Sequence, residues 1–72
     1  MSDLEKVGER IRNLRQVIGW SQEELAHQAN LHRTYVGGVE RGERNISVKN
    51  IFAIARALKV PASQLFEDLD TD

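Results

Sequence analysis

Residues 34–41, Thr34-Tyr35-Val36-Gly37-Gly38-Val39-Glu40-Arg41, read TYVGGVER. By local rules this is a β-hairpin, because two β-prone arms flank Gly-Gly, a pair suited to a primed two-residue turn. A lone hairpin is marginal in water and needs a sheet to join, and no other part of the chain reads as a strand. A helix accounts for the stretch better. With Arg33 at 0° on a helical wheel, Tyr35, Val36 and Val39 cluster between about 200° and 300°. Arg33, Thr34, Gly37 and Arg41 fall between about 0° and 100°, with Gly38 near 140°. One face is apolar and the other polar. The two glycines cost about 2 kcal/mol relative to alanines, which burial of the apolar face can offset. The spacing therefore predicts a helix over 33–41 that turns an arginine-bearing face outward.

Working outward, the other periodic segments also read as helix. Val7, Ile11, Leu14 and Ile18 share one helical face, and Gly19 offers a left-handed stop, which predicts a helix over 4–18. Ser21-Gln22-Glu23-Glu24 has the form of a capping box, with Trp20 and Leu25 placed as a hydrophobic staple. It opens a helix over 22–29, which Asn30 can end in the left-handed region. Arg41-Gly42-Glu43-Arg44-Asn45 is a polar loop. Ser47 caps a helix over 48–58, and Pro61 introduces a short one over 62–68. In the 48–58 helix, Val48, Ile51, Phe52, Ile54, Ala55 and Leu58 span roughly 160° of the wheel, where one core face needs about 100°. The surplus points to a second apolar partner, such as another copy of the chain.

A short capped helix, the tight link Asn30-Leu31-His32 and a second short helix with a polar outer face have the design of a helix-turn-helix, whose second helix enters the DNA major groove. The run SQEELAHQANLHRTYVGGVERG resembles the core of the lambda-repressor/Cro-like helix-turn-helix family. The resemblance continues through RNISVKNIFAIARALKVPASQLF and covers about Val7 to Phe66. Within that family, LHRTYVGGVERGERNIS is similar to the controller proteins of restriction–modification systems. The resemblance implies an all-α, compact five-helix bundle forming a single domain over 1–72, with its helix-turn-helix at about 21–41. It also implies a sequence-specific transcriptional regulator that binds a pseudo-palindromic operator in double-stranded DNA as a homodimer. The chain departs from the family pattern at Lys59, where glycine is common, and at His32, where Ser, Thr or Asp usually caps. Gly37 often has a counterpart with a side chain, and Val17 and Ile18 replace residues that are commonly polar.

Arg33 and Thr34 are the candidate base contacts. A guanidinium can donate to guanine O6 and N7, and a threonine can bond a base edge or set its methyl against that of thymine. Gln22, Tyr35, Arg44, Asn45, Ser47 and Lys49 are candidate backbone contacts, from a helix N-terminus and from the loop that follows the recognition helix. For Tyr35 two readings stand: core only, or a core ring whose hydroxyl reaches a phosphate. For Gly37 and Gly38 two also stand: toleration, or a thinned helix that approaches the groove closely. The resemblance implies an ion pair between Arg15 and Glu40 that fixes the recognition helix. Phe52, Leu65 and Leu69 are the candidate dimer contacts.

Composition narrows the function classes. The chain has 72 residues and no cysteine, which excludes disulfides and thiolate metal sites. Its longest apolar run, Ile51-Phe52-Ala53-Ile54-Ala55, is far short of the ~20 residues that span a bilayer. The charged opening MSDLEKVGERIRNLR has no signal-peptide core, so a cytoplasmic protein, bacterial or phage-encoded, is expected. Net charge is −1, yet residues 1–66 hold ten bases and seven acids, and the acidic end 67–72 supplies the excess. That end is expected to point away from a polyanion. Glu23 and His27 are too few ligands for a metal, and no nucleophile–base set or phosphate loop appears. No enzyme activity, cofactor, metal or small-molecule ligand is therefore expected. The rival reading is an antitoxin-like or phage-type repressor whose main partner is another protein.

Overall fold

The computed structural model describes residues 1–67. It contains four α-helices, α1 (Asp3–Val17), α2 (Gln22–Ala29), α3 (Arg33–Glu40) and α4 (Val48–Leu58), followed by a 3-10 helix over Ala62–Phe66. The hairpin reading of TYVGGVER therefore fails, and that stretch is the body of α3. Burial explains why the glycines do not prevent this. Val36 and Val39 are 0% and 2% exposed, and each fully buried valine is worth about 1.5–3 kcal/mol, enough to offset two helical glycines.

The element ends follow their capping residues. α1 begins at Ser2, whose hydroxyl accepts from the Glu5 N–H while the Glu5 carboxylate accepts from the Ser2 N–H at 2.8 Å. This reciprocal box was not anticipated from the sequence, and the bond from Ser2 holds the Glu5 carboxyl below its ordinary range. The box expected at Ser21 forms by half. Ser21 Oγ accepts from the Glu24 N–H at 3.0 Å, but the Glu24 carboxylate accepts from Gln28 instead. Gly19 and Asn30 take the left-handed positions that end α1 and α2. Lys59, at φ 60°, takes the same conformation after α4. The short helix expected over 62–68 is a tighter 3-10 helix over Ala62–Phe66, directly after Pro61, and Asp68 lies outside the described residues.

All five elements feed one core, in which Ile11, Leu25, Val36, Ile54 and Leu65 are fully buried. The burial of Leu65 corrects its expected place at a dimer surface. It is 0% exposed inside its own chain and has no area left for a partner. Phe52 stays on the surface, beside Val48 one turn earlier on α4. Leu69, the third expected dimer contact, and the acidic residues Asp68, Asp70 and Asp72 lie outside the described residues.

α1 also approaches the end of α3 closely through backbone. A Cβ on Gly8 would meet the carbonyl oxygens of Val39 and Glu40, the latter at 2.6 Å. Gly42, which follows α3 at φ 74°, lies as closely against the backbone of Glu5. No helix of the described residues is long and apolar enough to cross a membrane, and they contain no cluster of metal-ligating side chains.

Candidate nucleic-acid interface

α3 is held from three sides. Its inner face is fixed by Val36 and Val39. Its C-terminal end is clamped by Arg15, which donates from Nε to Glu40 Oε2 at 2.8 Å and from Nη2 to Glu40 Oε1 at 3.0 Å. The same guanidinium donates from Nη1 to the Trp20 carbonyl at 2.7 Å. One arginine thus ties α1, the α1–α2 turn and α3 together. The carboxylate is almost wholly buried, and its hydrogen bonds raise the Arg15 pKa above its ordinary value. Such a two-pronged pair fixes direction as well as distance.

Gln22 joins this network. Its Nε2 donates to Glu40 Oε1 at 3.0 Å, and the residue is half-buried. The backbone-contact candidate at the start of α2 is therefore also a brace for α3. On the other flank the Tyr35 hydroxyl accepts from Asn50 Nδ2 at 3.0 Å and donates to the Asn45 carbonyl at 3.4 Å. The ring is half-buried, so Tyr35 links α3 to the loop behind it and to α4. Ser47 Oγ accepts from the Asn50 N–H at 3.1 Å and caps α4.

What remains exposed on α3 is its first turn. Arg33 and Thr34 both face solvent. They line an open cleft of about 590 Å³ together with Gln22, Ser21 and Arg41. Thr34 also borders a second cleft of about 430 Å³, shared with Tyr35, Arg44 and Asn50. Two of the base- and backbone-contact candidates are thus gathered on each side of Thr34. Asn45, Ser47 and Lys49 are exposed beyond these clefts, along the approach to α4. Among the described residues Arg33 and Arg44 have no ion pair, whereas Arg41 is paired with Glu43 at 2.9 Å on the surface. The face therefore offers uncompensated cations beside polar groups and helix N-termini, the chemistry that receives phosphate and base edges.

Three features here escaped the sequence reading. Asn50 carried no role in the sequence. Arg41 lay on the outer side of the wheel without an assigned role. The glycines are not bare: both are buried, Gly37 beneath Gln22 and Arg41 and Gly38 beneath Arg44. Their backbone is covered by this chain's own side chains, which leaves little support for direct close approach to a groove.

A helix-turn-helix family profile matches residues 11–65. The control protein C.SmaI of Serratia marcescens is 41% identical over 61 residues, covering 85% of this chain and 73% of that protein. Among solved structures, the restriction–modification controller C.AhdI from Aeromonas hydrophila superposes with a TM-score of 0.90 at 52% identity. That match covers 92% of this chain and all of the other. The restriction–modification controller C.Esp1396I superposes with a TM-score of 0.85 at 39% identity, over 96% of this chain and 90% of that one. Solved variants of C.Esp1396I carry single replacements at a consecutive arginine, threonine and tyrosine.

Proposed function

This chain belongs to the helix-turn-helix family, in the company of restriction–modification controllers, and from that membership we propose that it binds an operator as a homodimer. It acts as a cytoplasmic transcriptional regulator rather than an enzyme, and its operator is pseudo-palindromic and serves a restriction–modification locus. The observation that carries this reading is the exposed, unpaired Arg33 at the first turn of a helix fixed by Glu40 at its other end. A rigid helix with a free guanidinium at its leading edge is suited to reading guanine in the major groove. The run Arg33-Thr34-Tyr35 has the same three residue types, in the same order, as the positions varied in C.Esp1396I.

Gln22, Arg44, Asn45, Ser47 and Lys49 hold the phosphates on either side, and Tyr35 positions its neighbours while its hydroxyl faces the same loop. Dimerisation uses Phe52 and Val48 on α4. A pseudo-palindromic operator requires the two recognition helices of the dimer about 34 Å apart, one turn of DNA.

The test begins by selecting bound sequences from random DNA. Arg33→Ala is then expected to lose discrimination at one base pair per half-site by about 1–3 kcal/mol. An unchanged ratio of operator to random-sequence affinity would show that Arg33 does not read a base.

A further inference from the structure

The turn that ends α3 brings the chain back across the helix it has just left. Gly42 N–H donates to the Val39 carbonyl at 3.0 Å, and Glu43 N–H donates to the Gly38 carbonyl at 2.9 Å. This is the bonding of a Schellman turn, with Gly42 in the left-handed position it requires. The next residue, Arg44, lies over Gly38. A Cβ on Gly38 would stand 2.7 Å from Arg44 Cγ and 3.5 Å from its Cδ and Nε. Gly38 is buried although Arg44 is exposed, so the arginine stem is what covers it. Arg44 also borders the cleft that contains Thr34, which sits one helical turn before Gly38 on the same row.

We infer that Gly38 is a positioning residue for DNA recognition: the side chain it lacks leaves a seat for the stem of Arg44. The seat holds a loop arginine across the outer face of α3, so that it joins Arg33 and Thr34 on one surface. This inference rests on the reading of α3 as the DNA-contacting helix. A free arginine has much rotamer freedom to lose on binding, and a side chain already laid in a groove has lost part of it beforehand. An alanine methyl at position 38 fills the seat. Arg44 is flexible and exposed, so it relieves the clash by swinging away while the helix stays intact.

The test compares the full chain with Gly38→Ala, Arg44→Ala and the double variant, using the selected operator at fixed salt. Arg44 Nε–H order is measured in each free protein that retains this arginine by nitrogen-15 relaxation. Gly38→Ala is expected to keep or raise the melting temperature and to weaken operator binding about tenfold, as one lost charge-assisted contact does. In the Arg44→Ala background the same change should alter affinity less than about twofold, because the two residues act as one unit. Arg44 Nε–H should be more mobile in free Gly38→Ala than in the wild type. Equal weakening in both backgrounds, or an Arg44 Nε–H that stays as ordered as before, overturns the proposal. A wild type without sequence preference, beside a loosened Arg44 in Gly38→Ala, overturns the DNA reading and leaves the seat supported.

Discussion

The Arg15–Glu40 pair shows how a buried charge is made tolerable. Glu40 accepts from Arg15 twice and from Gln22 once, so each of its oxygens has a donor. Removing one partner leaves an uncompensated buried charge. Arg15→Met is expected to cost about 3–5 kcal/mol, read as a lower urea midpoint. The pairing was legible through family resemblance, because the wheel shows only that Glu40 borders the core. The third partner, Gln22, was not legible as a brace, since its amide meets Glu40 only after α2 and α3 are placed. Lys59 presents the opposite situation. Its left-handed backbone is costly for a side chain with a Cβ, of order 1 kcal/mol. Lys59→Gly should therefore raise the melting temperature by about 4–8 °C in a domain this small. A lower melting temperature would show that the lysine side chain makes up for its own strain.

At the scale of elements, hydrophobic spacing and capping residues were enough to place α2 and α4 at their observed limits and α1 within one residue. They succeed because caps and apolar stripes are local. The final segment was harder: Pro61 marks its start, but whether one turn closes as α or 3-10 depends on how Leu65 reaches the core. Gly8 was invisible. Inside a helix nothing local distinguishes it, and its role exists only where the carbonyls of Val39 and Glu40 come to rest against it. In an isolated helix Gly8→Ala would add about 1 kcal/mol of stability. Here the new methyl meets backbone that cannot rotate away, and a net loss of about 1–3 kcal/mol is expected. Thermal melting of the variant checks the sign, and a rise would mean that α1 can slide away from α3 at little cost.

For the whole molecule, the apolar arc of α4 was legible as too wide for one core, while the division of its residues between core and surface was not. A wheel gives angles and no origin, so Phe52 on α4 and Leu65 on the final 3-10 helix could both be set at a partner surface until the elements were assembled. Among the described residues, the large apolar side chains of α4 that stay exposed are Phe52 and Val48. Phe52→Glu should yield monomers in sedimentation and weaken operator binding while leaving the fold intact. A dimer that survives the substitution would move the interface elsewhere. The placement of Trp20 carries a different consequence. It is the chain's one tryptophan, its carbonyl is gripped by Arg15, and it borders a cleft with Ala29, Ala53 and Ala57, separate from the one that holds Arg33. Its ultraviolet emission is thus a built-in optical gauge of the α2–α4 seam. Folding can be followed by that colour alone, without a dye, while a label on the nucleic acid follows binding on a separate channel.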